Sequence, residues 1–115
     1  MHTFQHEIDI LPGNVPRLVL RGALDLSAVG WLEEIVDEML AWKSDRILLD
    51  VSGVTFISSG AIGVLIAAAE EYRRRGGRIY IVNPSKPILH VFTLCALTEC
   101  ATCVTCEEEA LGVCA

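Results

Sequence analysis

The chain lacks the residue patterns that announce catalysis. It has no Gly-x-Ser-x-Gly elbow and no P-loop glycine-lysine pattern, and its three histidines, His2, His6 and His90, are scattered. His2 and His6 read as surface or strand residues, and His90 as a helix-face residue rather than a base. The expectation is a protein that is not an enzyme and needs no cofactor. Long hydrophobic runs are also missing. Ala61 to Ala69 is the longest candidate, about half of what a membrane crossing requires. The opening MHTFQHEIDI has neither the basic start nor the apolar run of a signal peptide, so we expect a cytoplasmic protein with no membrane span. Positive charge is scarce: 9 Lys and Arg stand against 15 Asp and Glu, for a formal net charge of −6. That balance argues against nucleic acid and anionic membranes as partners. The one basic run, Arg73-Arg74-Arg75, reads as a solvated helix end. There is no internal repeat, no low-complexity segment and no linker, and 115 residues suffice for one domain with a real core but not for two. The expectation is therefore a single domain over residues 1–115.

Hydrophobic residues make up 52% of the chain, which marks it as globular. Phe4 to Ile10 alternates in the manner of a strand. Leu11-Pro12-Gly13-Asn14 is a turn, and Arg17 to Arg21 is a second strand and the hairpin partner of the first. Gly22-Ala23-Leu24-Asp25 leaves that strand, and Asp25 or Ser27 can cap the helix that follows. Leu32, Ile35, Val36 and Met39 form the apolar stripe of this helix, which runs to about Trp42, with Glu33, Glu34, Asp37 and Glu38 opposite. Further on, Arg78 to Val82 is a buried strand. Asn83 to Pro87 is a loop in which Ser85 can cap a short helix through Ile88, Leu89, Val91, Phe92 and Cys95. Cys100 to Thr105 looks extended, and Glu107-Glu108-Glu109 opens a brief terminal helix whose acids suit the positive end of its dipole.

Between these lies the stretch around which the chain is organised, Arg46 to Arg75. Ile47-Leu48-Leu49, closed by Asp50, reads as a short buried strand. Val51-Ser52-Gly53 reads as a turn, and Val54 to Ile57 as extended. From Ala61 the pattern becomes helical, with Ile62, Leu65, Ile66, Ala69 and Tyr72 on one stripe. Three arginines and Gly76-Gly77 end it, cations at the negative end of the dipole and glycine for a left-handed cap. Ser58, Ser59 and Gly60 then fall at a strand-to-helix junction with helix amides pointing at them, where a serine-linked phosphate is best tolerated. A serine there serves equally well as a plain N-cap. Strands alternating with helices imply an α/β fold: a mixed, mostly parallel sheet of about five strands with about four helices and right-handed crossovers.

The cysteines crowd the C-terminus: Cys95, Cys100, Cys103, Cys106 and Cys114. Cys100-x-x-Cys103-x-x-Cys106 suggests a metal site. In a regular strand, however, residues three apart point to opposite faces, which leaves Cys103 away from the other two. The reading adopted is therefore small structural thiols with no metal. A zinc or redox role remains open should the segment be a loop.

ILLDVSGVTFISSGAIGVL resembles the signature of the STAS domain, the domain of sulfate transporters and anti-sigma-factor antagonists. Gly22-Ala23-Leu24-Asp25 is similar to the family's Gly-x-Leu-Asp, Asp50 to Val54 to its strand and turn before the key loop, and Arg75-Gly76-Gly77 and Asn83-Pro84-Ser85 to its later turns. The resemblance covers nearly the whole chain and implies a STAS-like fold. In bacterial anti-sigma-factor antagonists the key loop reads Phe-x-Asp-Ser-Ser/Thr-Gly-x-Gly, and its first serine is phosphorylated by a kinase that is also the anti-sigma factor. Aligned on Phe56 and Gly63, that serine is Ser59. Ser58 stands in place of the acid, Gly60 in place of the second hydroxyl and Ala61 in place of the glycine.

The resemblance implies a partner-switching antagonist. It would bind a serine-kinase anti-sigma factor when unphosphorylated, let go when Ser59 is phosphorylated, and be reset by a serine phosphatase. The implied contact surface is Leu24, Asp25, Ser58, Ser59, Gly60 and Ile62, on a monomer or weak dimer. A second reading is a non-switching STAS accessory subunit of a lipid-transport or stress-signalling complex. A third is a redox or metal sensor built on the cysteine tail.

Overall fold

A computed structural model of the protein describes residues 4–111. Two antiparallel strands come first, β1 (Phe4–Leu11) and β2 (Val15–Leu24). The three-residue turn between them places Gly13 and Asn14 at positive φ, the backbone that glycine and asparagine tolerate best. A 3₁₀ turn (Leu26–Ala28) leads into α1 (Val29–Leu40). The chain then alternates through β3 (Arg46–Ile57), α2 (Ser59–Arg74), β4 (Arg78–Val82), α3 (Lys86–Leu94), a 3₁₀ turn (Leu97–Glu99), β5 (Thr102–Val104) and α4 (Glu107–Leu111). The sheet order is β1-β2-β3-β4-β5, with every pair parallel except the opening hairpin. The mixed, mostly parallel α/β sheet of five strands with four helices expected from the alternation is what forms.

Sequential parallel neighbours joined by crossovers of one hand put their helices on one face of the sheet. The main core follows from this. Leu32, Ile35 and Val36 of α1, Leu65, Ala69 and Tyr72 of α2, and Ile88 and Phe92 of α3 pack in one cluster with Leu18 and Leu20 of β2, Ile47 and Leu49 of β3 and Ile79 and Ile81 of β4. The opposite face carries a smaller cluster, Val15, Leu48, Val82 and Val104 under Ala110 of α4. Arg17 fastens that helix to the hairpin. Its guanidinium forks onto both oxygens of Asp9 (2.9 and 2.5 Å) and onto Glu107 (2.7 and 2.5 Å). Among the described residues, no helix is long and apolar enough to cross a membrane.

The structure departs from the sequence reading in β3. The expected short strand, turn and second extended piece are one continuous strand of 12 residues. Ser52-Gly53 does not turn the chain; it absorbs a register shift. Val19 pairs with Asp50 and Arg21 with Gly53, so β3 spends one residue more than β2 over this interval. The same happens again between Gly22–Val54 and Ala23–Phe56. Each extra residue is a bulge, and each reverses which face the alternate side chains meet. The positions buried in the main core therefore run Ile47, Leu49, Val51 and then skip to Val54 and Ile57. Asp50 shapes the first bulge by accepting hydrogen bonds from Ser52 N (3.0 Å) and Ser52 Oγ (2.7 Å). Opposite, Gly22 takes φ +92, a backbone suited to a residue without a β-carbon.

The C-terminal segment also differs. Only Thr102–Val104 is strand. Cys100 follows the 3₁₀ turn and Cys106 precedes α4, so the extended run expected from Cys100 to Thr105 shrinks to its middle. Ala96 in the left-handed conformation, φ 64, ends α3 and starts that turn.

Candidate functional site

The carboxyl ends of β2 and β3 lie side by side, with Leu24 paired to Ile57. The two loops leaving them are joined by a backbone hydrogen bond, Ser58 N donating to Leu24 O at 2.8 Å. The β2 exit is stiffened by Asp25, whose carboxylate accepts from Ser27 N (3.0 Å) and Ser27 Oγ (2.5 Å). Of the two candidate caps it is Asp25 that serves, holding the 3₁₀ turn ahead of α1.

The two serines of the β3 exit are placed differently. Ser58 is extended (φ −80, ψ 161) and only 9% exposed, and its Oγ accepts from Ala61 N at 3.2 Å. Its carbonyl accepts from Ile62 N at 3.0 Å, the first backbone bond of α2. Ser58 is therefore the N-cap, satisfying one of the amides that a helix start leaves without a partner. Ser59 is the first residue of α2, and it is exposed. The amides of Ser59 and Gly60 have no intrahelical acceptor at this end of the helix, and the dipole there favours negative charge. Gly60 is half-buried. A β-carbon on it would sit 3.0 Å from Val29 Cγ2, so glycine allows the starts of α1 and α2 to approach closely.

The other expected contact residues divide by burial. Leu24 is 0% and Ile62 4% exposed; both are core side chains under the loop and offer no surface. Asp25 is half-buried at the rim. Two residues not singled out from sequence are on the outside instead. Leu26 is 75% and Phe56 52% exposed, the first just past the end of β2 and the second paired to Ala23 near the end of β3. The second bulge of β3 makes Ile57 rather than Phe56 the buried residue, which simple strand alternation cannot reveal. The candidate site is thus an exposed hydroxyl at a helix start, on the same sheet end as two exposed apolar side chains.

Among the described residues no group of three or more His, Cys, Asp or Glu is placed to hold a metal. Cys100 is buried, with Sγ 3.4 Å from Leu97 O, Cys103 is half-buried on β5, and burial raises the pKa of both thiols. Cys95 is exposed, and Cys114 lies outside the described residues, as does His2.

The fold matches known proteins. The family model described as "Mlab, STAS domain" matches residues 10–105. No curated protein matches the chain by sequence. Among solved structures it is similar to an anti-sigma factor antagonist from Mycobacterium paratuberculosis, at 20% identity and TM-score 0.83 over 95% of this chain and 92% of that one. It is similar to an anti-sigma-factor antagonist (STAS) domain protein from Planctomyces limnophilus, at 16% identity and TM-score 0.80 over 94% and 97%. It is also similar to the Bacillus cell fate determinant SpoIIAA in its phosphorylated form, at 21% identity and TM-score 0.73 over 96% and 100%. With the family model covering most of its length and the same fold recurring in these structures, the chain belongs to the STAS domain family.

Proposed function

We propose that this protein is an anti-sigma-factor antagonist that acts by partner switching, with Ser59 as its switch. The observation that carries the reading is the split between the two serines: Ser58 is committed to capping α2, while Ser59 is exposed on the helix's first residue. Leu26 and Phe56 add exposed apolar surface beside it, of the kind that marks protein contacts. Unphosphorylated, the loop docks on a serine-kinase anti-sigma factor. The kinase then transfers the γ-phosphoryl group of ATP to Ser59 Oγ and leaves ADP. The phosphate brings about −1.5 to −2 charges, and the amides at the start of α2 stabilise it without refolding the loop. Release comes from bulk and charge introduced into a contact that was apolar and dry. A serine phosphatase restores the binding form.

The test is site mapping by mass spectrometry after incubation with the cognate kinase and ATP, together with binding constants for three variants. Ser59→Ala should keep binding and lose phosphorylation. Ser59→Asp should weaken binding by about tenfold or more, because charge set against an unsuited surface costs several kcal/mol. Ser58→Ala should still be phosphorylated at Ser59. Phosphate on Ser58 would defeat the assignment.

A second reading is favoured by one feature. Ser58 occupies the position where the antagonists' loop carries an acid, and the matching family model bears the name of an STAS protein rather than of a sigma-factor regulator. This is the non-switching accessory subunit, in which the same loop is a constitutive contact. Phosphate on neither serine with binding intact would select it.

A further inference from the structure

Helices α1 and α2 run in the same direction, because both return from the carboxyl end of the sheet to its amino end. They touch at the top, where Gly60 meets Val29, and are tied at the bottom, where Arg75 Nη1 donates to Leu40 O at 2.7 Å. Between these points they leave an open groove of about 590 Å³. Its length is set by α1, 12 residues, or about 18 Å at ~1.5 Å per residue. The lining includes Leu40 from α1 and Gly63, Val64 and Ala67 from α2, with Glu33 and Asp37 along the α1 side and the Glu71–Arg74 ion pair on the α2 side.

Two independent features of this groove have no explanation within the chain. The first is Gly63. It sits in the interior of α2 with ordinary helical backbone, is exposed, and a β-carbon there would meet nothing within 4 Å. Glycine at such a position destabilises a helix by roughly 0.5–1 kcal/mol relative to alanine, and among the described residues no turn, close contact or positive φ requires it. It is the residue that lets another backbone come close. The second is the charge on α1. Glu33, Glu34, Asp37 and Glu38 are its only charged residues, and none forms an ion pair among the described residues. Glu33–Asp37 and Glu34–Glu38 are like charges four residues apart, a spacing that disfavours the isolated helix. A positively charged occupant would reverse that cost.

We propose that the α1–α2 groove docks a basic amphipathic helix of a protein partner. The occupant's apolar stripe, at i, i+4 and i+7 spacing, lies on Leu40, Val64 and Ala67, with its backbone nearest Gly63. Its lysines or arginines, on one flank, face Glu33 and Asp37. The acidic α1 wall turns away anionic membranes and nucleic acid, and a groove about three turns long fits a helix better than an extended strand. The proposal does not rest on the switch at Ser59, which lies beyond the Gly60 end. It carries an opposite expectation there: added negative charge near this end of the groove leaves a basic helix bound as well or slightly tighter, whereas it weakens the loop contact.

The probe is a synthetic Leu/Lys amphipathic helix of about 14 residues, long enough to span the groove, with a Leu/Glu peptide of the same pattern as control. Binding to the full chain is read by fluorescence anisotropy and by amide shifts in NMR spectra. Saturable binding of the Leu/Lys peptide, with shifts centred on Gly63 and Ala67, is the expected result. The pair Glu33→Gln and Asp37→Asn should weaken it about threefold to tenfold, the range for two partly exposed ion pairs. Gly63→Leu should abolish it, and Gly63→Ala should weaken it while raising the melting temperature, which separates loss of the groove from loss of the fold. Equal binding of the Leu/Glu peptide, or unchanged binding in Gly63→Leu, overturns the proposal. So does a concentration-dependent dimer abolished by Gly63→Leu, which would assign the groove to a second copy of this chain.

Discussion

Replacing Ser58 tests the local structure on which the switch depends. In Ser58→Ala the hydroxyl that accepts from Ala61 N at 3.2 Å is lost, while the backbone bonds from Ser58 N to Leu24 O and from Ile62 N to Ser58 O remain. Loss of an N-cap hydroxyl costs typically ~1 kcal/mol, within a range of about 0.5–2. Ala61 is 0% exposed, so water does not readily replace the lost acceptor, and leaving a buried donor unsatisfied costs about 1–3 kcal/mol. The expected loss is therefore in the upper half of the capping range, about 1.5–2 kcal/mol. For a domain of this size that corresponds to a fall in Tm of roughly 6–8 °C. Ser58→Gly lacks the same acceptor but leaves more room for water, so it should cost no more than Ser58→Ala, and Ser58→Asp should hold the cap about as well as serine, because aspartate is an equally good N-cap and its charge suits the dipole. Ser59→Ala should change stability by less than about 0.5 kcal/mol, as expected for an exposed side chain. Urea unfolding followed by circular dichroism, with unchanged slope across the set, gives all four values. If Ser59→Ala costs more than Ser58→Ala, or if Ser58→Asp costs as much as Ser58→Ala, the capping argument is wrong.

Other consequences are equally accessible. Gly77→Ala should destabilise by about 1–3 kcal/mol, because its β-carbon would lie 2.5 Å from the ring of Tyr72, which is 2% exposed; a melting temperature equal to wild type would refute that contact. Asp9 has a pKa held below the ordinary carboxylate range, chiefly by its hydrogen bonds from Arg17. A depressed carboxylate adds stability above its unfolded pKa and loses it as pH falls through the folded one. Asp9→Asn should thus be less stable than wild type at neutral pH and converge with it in acid, and a gap that persists at the acid end of a pH series would contradict this. Cys95 is exposed, whereas burial raises the thiol pKa of Cys100 and Cys103. Of these three, a thiol reagent at neutral pH should label Cys95 first in the native protein, and labelling of Cys103 ahead of Cys95 would remove the case for a structural thiol.

Much of the fold was legible in the sequence because it rests on periodicities that local physics imposes. The stripe Ile62, Leu65, Ile66, Ala69 and Tyr72 could pack only as one face of a helix, and all but Ile66, which is half-buried at its edge, are buried. Ile79–Val82 had no polar face to turn outward and became an inner strand with neighbours on both sides. Pro12-Gly13-Asn14 turned the hairpin, and Gly76 closed α2 at φ +85. The order of these elements then left little choice of topology. The strand-to-helix junction that carries Ser58 and Ser59 was legible for the same reason.

What the tertiary structure decided lies where two segments compete for one register. Ser52-Gly53 has the composition of a turn, yet pairing with β2 on one side kept the chain extended and converted those residues into a bulge. A second bulge followed at Thr55. Together they buried Val54 and Ile57, exposed Phe56, and brought the end of β3 against Leu24. Residue types alone could not say that Leu24 and Ile62 would lie beneath the loop and Leu26 and Phe56 beside it, because burial at these positions depends on how many residues β3 spends against β2. The same count fixes the rotation of α2 at its start, with Ser58 turned in to the Ala61 amide and Ser59 out to solvent. Composition and period determined the elements and their order; the register between neighbouring strands, which no single segment encodes, determined which side chains the site presents.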